Sequence, residues 1–194
     1  MVGAKREEGG ADERRPAADR VLAAKERYRP EVVRCLLVAA ALPDRLDRFF
    51  YCADAHRADY LFLGVMQVLY PELKDEFLAT RRSHLLKDRI LRRFQADGFY
   101  LIDLPEVAQG NSFRVSPRAV AQMVARVGEV ADFQTPIVLI KAATFEAARQ
   151  PLQAAGYQRV HQRAIPFPSQ GWQHRFHELF REALRQSGVT WQVG

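Results

Sequence analysis

The chain has few of the residues that mark metal clusters and disulfide frameworks. Its 194 residues include two cysteines, Cys35 and Cys52, and both lie in apolar surroundings. Two thiolates are too few for an iron–sulfur cluster held by four cysteines of this chain. Their apolar neighbours favour reduced, buried thiols and a cytoplasmic location. No apolar run is long enough to cross a bilayer, and residues 1–20 lack the apolar core of a secretory signal.

Glycine is missing where nucleotide-binding folds need it. The first predicted strand is the nearly continuous apolar run Val32–Ala41, which ends before Pro43. The turn at residues 39–44 reads Ala-Ala-Ala-Leu-Pro-Asp. It therefore contains neither a dinucleotide fingerprint nor a phosphate-binding P-loop. The chain also has no Gly-x-Ser-x-Gly motif of the kind that presents an α/β-hydrolase nucleophile.

Strands alternate with helices along the chain. Further strands are predicted at residues 99–104, 136–140 and 157–165. Between and after them the apolar spacing predicts helices, including one that breaks near Ser83 and one that Ser116 caps. The alternation predicts an α/β fold, a three-layer α/β/α sandwich with a central, mostly parallel four-stranded sheet. Residues 1–16 are polar and predicted to form a disordered tail, and residues 17–194 a single domain.

Positive charge is concentrated in one segment. Between residues 81 and 93, six cations stand against one acid, Asp88, a local excess of +5 in a chain of net charge +6. The six are Arg81, Arg82, Lys87, Arg89, Arg92 and Arg93. A localised basic face is typical of proteins that bind polyanions. A solvated helix face is the alternative interpretation.

A bend near the C-terminus is the most informative segment. Residues 165–173 read Ile-Pro-Phe-Pro-Ser-Gln-Gly-Trp-Gln, where a predicted strand ends and the last helix begins. Loops at the carboxyl ends of strands carry the ligand sites of open α/β sheets. Gly171 permits close approach of a backbone, and Ser169 is a candidate cap for a helix start that favours anions. Trp172 continues the apolar stripe of that helix and is predicted to be core.

Two groups of residues have a spacing that suits metal ligands, but each group is incomplete. Asp54, His56 and Asp59 are close in sequence, and His174 and His177 are three apart on the last helix. Each group could place ligands on one side of an ion, but neither is a complete metal site by itself. A helix surface or a polar rim is the ordinary position for such histidines. The sequence therefore predicts no metal and no cofactor.

In the order of its elements the chain resembles the uracil-DNA glycosylase superfamily. The resemblance covers roughly residues 32–185. It rests on the first strand and the Phe49-Phe50-Tyr51 run, on the strand at 98–104 ending in Asp103-Leu104, on the strand at 137–143, and on the bend from Ile165 to Ser169. Each motif is short, and their order and spacing carry the likeness. The resemblance implies excision of a deaminated or damaged base of the uracil type from DNA, after the base is flipped out of the stack.

The resemblance also implies roles for individual residues. Asp44 and Asp103 become the candidate catalytic carboxylates. Three residues would hold the flipped base, namely Phe50 as the stacking ring, Pro43 and Phe167. The candidate DNA contacts are Pro168, Ser169, Gln170, Gly171, Lys141, Arg89, Arg92 and Arg93. For the two carboxylates a structural role stays open, since Asp44 is also placed to cap the next segment and Asp103 to bond the loop backbone.

Two departures from the family pattern leave the chemistry open. Ala39, Ala40 and Ala41 stand where the family has its water-positioning acid or amide, and Phe167 where well-known members have a histidine. Three hypotheses follow: a DNA base-excision glycosylase, a catalytically degenerate nucleic-acid binder of the same fold, and a small-molecule enzyme or partner-binding protein whose basic helix is merely solvated. The first two take DNA as partner. A monomer without membrane contact is predicted.

Overall fold

The computed structural model describes residues 14–40, 49–52, 59–104, 107–109 and 112–191. In these ranges the helices and strands follow one another in the order α1 (Arg14–Arg27), β1 (Cys35–Ala40), α2 (Tyr60–Leu69), α3 (Pro71–Ala79), α4 (His84–Ala96), β2 (Phe99–Leu104), β3 (Val107–Gln109), β4 (Ser112–Arg114), α5 (Pro117–Val130), β5 (Ile137–Leu139), α6 (Ala142–Ala154) and α7 (Gln173–Gln186).

The main sheet of the described chain is parallel and has three strands in the order β2-β1-β5. Strand β1 pairs along its whole length with β2, from Cys35 opposite Phe99 to Ala40 opposite Leu104, and Leu36–Val38 pair with β5. All three strands are buried and almost entirely apolar, as is usual for parallel strands covered by helices. The predicted α/β class is confirmed.

The predicted fourth strand is present only as two isolated bridges. Ile137 pairs with Val160, and Ile140 pairs with Ile165, both in parallel. Ile137 and Ile140 are three residues apart, whereas their partners Val160 and Ile165 are five residues apart. The segment at residues 160–165 therefore bulges between the two bridges. Inside the bulge the Leu139 N–H donates to Nε2 of His161 at 2.9 Å. An imidazole therefore replaces the backbone acceptor that a regular strand would supply, and the four-stranded sheet is not formed.

The outer edge of β2 is also closed by a side chain. The Tyr51 hydroxyl accepts the Leu101 N–H at 2.7 Å and lies 3.3 Å from the Leu101 carbonyl oxygen, to which it donates. Tyr51 is fully buried, and its ring stacks on Tyr28 with centroids 5.9 Å apart. Free strand edges are sites of aggregation, so a phenol bonded to both backbone groups of Leu101 protects the sheet. Tyr51 belongs to the aromatic run that the sequence analysis related to base binding.

The starts of α4 and α5 agree with the predicted break and with the predicted Ser116 cap. Helix α3 ends at Ala79 and α4 begins at His84, immediately after Ser83, so the predicted break is confirmed. The Ser116 hydroxyl accepts the Ala119 N–H at 3.1 Å and caps α5. Helix α1 begins at Arg14, so the last residues assigned to the tail are helical. Between the strand predicted at 99–104 and the Ser116 cap, the antiparallel pair β3 and β4 is present, which the sequence did not predict.

Both cysteines are free thiols, as the sequence predicted. Cys35 is fully buried at the start of β1, and Cys52 is half-buried. Burial raises the pKa of the Cys35 thiol well above its usual value. That thiol is consequently protonated and unreactive at neutral pH.

Acidification is expected to destabilise the fold through His161. Burial lowers the pKa of this imidazole from 6.5 to about 4. The unfolded chain therefore takes up a proton first as the pH falls. The neutral His161 imidazole therefore contributes to the free energy of unfolding in full above pH 6.5. This contribution is lost as the pH falls towards 4, a change of up to about 3 kcal/mol. Free energies of unfolding from urea titrations at pH 7 and pH 4.5 measure it.

A glutamine at position 161 separates this effect from general acid denaturation. Its carbonyl oxygen is able to accept the Leu139 N–H but does not titrate, so His161→Gln should show a shallower pH dependence than the wild type. His174→Gln, at an exposed histidine of α7, should leave the pH dependence unchanged. Equal pH slopes for wild type and His161→Gln would show that the buried imidazole contributes nothing to acid sensitivity.

Candidate functional site

The bend from Pro166 to Trp172 lies beside the end of β5. Ile140 and Ile165 form a parallel bridge, and the Lys141 N–H donates to the Ile165 carbonyl oxygen at 3.0 Å. Two of the predicted DNA-contacting elements, Lys141 and the bend, are thus neighbours at the carboxyl edge of the sheet. We refer to Lys141, the bend and the first turns of α6 and α7 as the carboxyl-edge site.

Packing and hydrogen bonds fix the shape of the bend. Pro168 is buried against α2, where a Cβ on Gly64 would come within 2.8 Å of the Pro168 Cβ atom. The Ser169 N–H donates to the Phe167 carbonyl at 2.8 Å, and the Trp172 N–H donates to the Ser169 carbonyl at 2.9 Å. Gly171 has φ +84° and faces open space. The bend is therefore rigid on its inner side and open on its outer side.

Neither helix that begins at this edge has a side-chain cap. Lys141, with φ +85°, is the N-cap of α6, and Trp172 is the N-cap of α7. Neither first turn contains an acidic residue, and Ser169 does not fill the capping role predicted for it. The first amide groups of a helix carry partial positive charge and no intrahelical partner. Two such helix starts in one site favour an anionic ligand.

Thr144 adds an unsatisfied polar group in the first turn of α6. The residue is fully buried, and its hydroxyl has no hydrogen-bond partner in the part of the chain that the structure describes. A buried hydroxyl without a partner costs about 1–3 kcal/mol. Thr144 was not among the residues predicted from the sequence, where its signal is a hydroxyl residue five positions after the end of β5.

Trp172 is exposed, which corrects the prediction that it belongs to the core. Its exposed fraction is 56%, whereas Phe176 and Phe180 on the following turns are buried. The apolar stripe predicted for the last helix includes Trp172, but α7 begins only at Gln173. A residue before the helix does not follow the helical period, and here the backbone directs an indole ring to solvent.

Phe50 lies in the core of the described chain, and these surroundings give no support to its predicted base-stacking role. It is 3% exposed. Its ring centroid lies 5.1 Å from Tyr51, 5.3 Å from Phe94 and 5.7 Å from Phe62. Within the part of the chain that the structure describes, aromatic neighbours therefore occupy the space around the ring. Phe167 is half-buried and packs against the core.

Asp103 is held in a buried ion pair. Its Oδ2 atom lies 2.5 Å from Nζ of Lys25 on α1, and both side chains are almost completely buried. Burial raises the pKa of the Asp103 carboxyl, and the Lys25 ammonium opposes that rise. The other candidate catalytic acid, Asp44, and the candidate base contact Pro43 lie outside the described residues.

The basic segment is less basic in three dimensions than in sequence. Lys87 is 0% exposed and pairs with Asp59 at 2.6 Å, so it does not belong to the basic face. The three arginines predicted to contact DNA each have an acid nearby: Arg89 lies 3.9 Å from Glu76, Arg92 lies 2.8 Å from Asp88, and Arg93 lies 2.9 Å from Asp97. Their positive potential is therefore partly neutralised.

The described residues contain no cluster of three or more histidine, cysteine, aspartate or glutamate side chains able to hold a metal. Asp59 is occupied with Lys87, and its Oδ1 atom accepts the Phe62 N–H at the start of α2. His174 lies 3.7 Å from Glu178, on the exposed side of α7. Asp54 and His56 fall outside the described ranges.

Fold and site together define an α/β protein with a parallel three-stranded sheet and an anion-favouring carboxyl edge. No family model, no curated protein and no solved structure matches the chain. Among the helices that the structure describes, none has the length and apolar character needed to span a membrane.

Proposed function

We propose that this protein binds single-stranded DNA at the carboxyl edge of a three-layer α/β/α sandwich. The observation that carries the proposal is the exposed Trp172 ring at the uncapped start of α7, in a bend bonded to Lys141. An aromatic surface next to cationic groups is the usual combination for binding unpaired bases and their phosphates.

The chain connections support a ligand site at this edge. The step from β1 to β2 and the step from β2 to β5 cross the sheet in opposite directions. Right-handed crossovers then place their helices on opposite faces. The helix contacts agree with this arrangement, since α5 packs on α6, whereas α2 packs on α7 and α3. The chain therefore adds β2 on one side of β1 and β5 on the other, which makes the gap between β1 and β5 a topological switch point. In open α/β sheets, ligands bind at the carboxyl ends of the strands at such a point.

Charge at the carboxyl edge favours phosphate. Lys141 and two uncapped helix starts lie there. Helix α4 ends at Ala96, two residues before Gly98, and β2 follows directly, so the first turn of α4 lies towards the same edge. The turn before α4 contains Arg81 and Arg82, both at positive φ. These groups surround the edge with positive potential, which attracts a polyanion without reading its sequence.

The exposed indole favours single strands over duplex. A base stacks on an aromatic side chain only after it leaves its own stack, and single-stranded substrate has no pairing energy to lose. Trp172 is 56% exposed next to Gly171, whose outer side is open. The ring is therefore accessible to an unpaired base.

Replacing Trp172 by alanine is expected to weaken binding to a fluorescein-labelled dT oligonucleotide of about 15 nucleotides by about 1–3 kcal/mol, because one base loses its stacking partner. Fluorescence anisotropy at low salt measures the change. Trp172 and Trp191 are the chain's two tryptophans, so Trp191→Phe leaves Trp172 as the reporter. Its fluorescence should be quenched by the oligonucleotide. Unchanged affinity in Trp172→Ala would remove the stacking argument.

Lys141→Gln is expected to reduce the dependence of log Kd on log salt by about 0.7, the contribution of one cation against a single strand. Arg92→Gln is the matched control, because Arg92 lies in the second half of α4, away from the helix start that faces the carboxyl edge; its effect should be smaller. An equal or larger change in Arg92→Gln would move the binding surface to α4. Tighter binding of a blunt duplex of the same length would contradict the preference for single strands.

Base excision remains a prediction of the family resemblance. Asp103 lies at the carboxyl end of β2 but is paired with Lys25, and Phe50 is buried, so structural contacts hold both of these predicted site residues. A base-release assay on uracil- and hypoxanthine-containing strands, run on the same oligonucleotides, tests it. Release that disappears in Asp44→Ala would establish the glycosylase; binding without release supports the non-catalytic interpretation.

A further inference from the structure

A second candidate site lies at the opposite edge of the sheet. Val32 and Val33 before β1, the last turn of α5, and residues 131–133 and Thr135 before β5 line an open groove with a volume of about 530 Å³. We refer to it as the amino-edge groove. It is separate from the carboxyl-edge site, because parallel strands start at one edge of the sheet and end at the other.

The floor of the groove exposes apolar surface. Phe133 is 57% exposed and Val32 is 66% exposed, both unusually high for large apolar side chains in this protein. The Phe133 ring rests against Tyr157, with centroids 5.3 Å apart, and close to Gly156, where a Cβ would come within 3.2 Å of the ring. One side of the ring is thus fixed by packing, and much of the rest is open to solvent.

The rim of the groove is acidic although the chain as a whole is basic. Glu31, Glu129 and Asp132 are the charged residues of its lining, and no lysine, arginine or histidine lines it. Hydrogen bonds from the Thr135 hydroxyl and the Gln134 N–H lower the pKa of Asp132. The net charge of +6 would repel cations in general, so this groove is a local exception.

The backbone adds negative potential of its own. Gly128, Glu129 and Val130 of the lining form the end of α5, whose last turn has no basic residue. The final carbonyl groups of a helix carry partial negative charge and attract cations. One of these carbonyl groups, that of Glu129, already accepts a hydrogen bond from Arg29 at 3.1 Å, so the three carboxylates of the lining are the main feature that favours a positively charged occupant.

We propose that the amino-edge groove binds an arginine-bearing segment of a partner protein. A guanidinium is planar, stacks on an aromatic face and pairs with carboxylates through parallel hydrogen bonds. Phe133 supplies the ring, and Asp132, Glu129 and Glu31 supply the carboxylates. Val32 accommodates an apolar neighbour of the arginine. The volume is that of a pocket for a few side chains rather than for a folded domain.

Titration of the 15N-labelled full chain with the peptide acetyl-Gly-Leu-Arg-Leu-Gly-amide tests the proposal. The amide signals of Gly128 and Gly156 should shift on addition of the peptide. Phe133→Ala should lower the affinity about tenfold, since the ring is exposed and its loss leaves the fold intact. The double variant Glu31→Gln/Asp132→Asn should lower it as much. The control Glu178→Gln removes an exposed acid on α7 and should change nothing.

Two further peptides decide the identity of the occupant. The same peptide with citrulline, which keeps the shape of arginine without the charge, should bind at least tenfold more weakly. A second peptide has lysine in place of arginine. Binding of the citrulline peptide or the lysine peptide as tight as that of the arginine peptide would overturn the arginine assignment. Unshifted amide signals of both Gly128 and Gly156 would overturn it as well. Trp172→Ala should bind the peptide as the wild type does, so this result is independent of DNA binding.

Discussion

Replacing Lys87 by methionine is expected to lower the free energy of unfolding by about 3–5 kcal/mol. Lys87 is 0% exposed and Asp59 is 2% exposed, and their charged atoms lie 2.6 Å apart. The ammonium also lies 4.5 Å from the centroid of the Phe62 ring. Methionine fills nearly the same volume but leaves the Asp59 carboxylate buried without its counter-charge. Chemical denaturation monitored by circular dichroism measures the loss.

The size of the effect comes from desolvation rather than from attraction. An isolated buried charge is far less stable than the same charge in water, and a close counter-ion compensates for most of that cost. Removing one partner therefore leaves the other charge buried with its full desolvation cost. An exposed pair such as Arg163 and Glu182, at 2.9 Å, has no comparable penalty, so Arg163→Met should cost less than about 1 kcal/mol.

A double variant tests this explanation directly. Asp59→Asn keeps a side-chain oxygen for the Phe62 N–H, which Asp59 now caps, but removes the charge. Combined with Lys87→Met, it should recover at least half of the lost free energy, because no unpaired charge remains. A double variant whose loss equals the sum of the two single losses would contradict the account, since coupled residues are non-additive.

Asp103→Ala is expected to destabilise the fold by a similar amount, about 3–5 kcal/mol. The substitution leaves the Lys25 ammonium buried at the end of α1 without its carboxylate. It should also loosen the contact between α1 and β2, the outer strand of the described sheet. Thermal and urea unfolding of the variant measure the loss, with Glu178→Ala at an exposed site of α7 as the control.

This expectation separates a structural carboxylate from a catalytic one. If Asp103 served only in catalysis, its replacement would reduce base release and leave the unfolding midpoint unchanged. If it serves the ion pair, adding Lys25→Met to Asp103→Ala should restore at least half of the stability. An Asp103→Ala variant with wild-type stability would reject the structural role that the Lys25 contact indicates.

Local patterns predicted the helices and the central strands well. The break before His84 followed from arginines that would otherwise interrupt an apolar stripe, and α4 buries Leu86, Ile90 and Phe94 as that spacing requires. Strand β2 matches the predicted residues 99–104. These features depend on neighbours within a few positions along the chain, which is the information that periodicity contains.

Edges and site residues were predicted less well, because they depend on distant contacts. Nothing near His161 in sequence indicates that its imidazole would take the Leu139 N–H, 22 positions away. Phe50 and Trp172 are both aromatic, yet one is buried among other rings and the other is exposed. Burial of an aromatic side chain is decided by what packs on it, and hydropathy does not distinguish the two.

The sequence by itself determined the alternation of strands and helices, the α/β class and the loop at the end of the last strand segment, because backbone propensity and apolar period act locally. Tertiary structure alone decided which charges are paired. Lys87 and Asp59 are 28 residues apart, and Lys25 and Asp103 are 78 apart. Electrostatic interactions depend on distance in space and on burial, and neither quantity is encoded in a window of neighbouring residues.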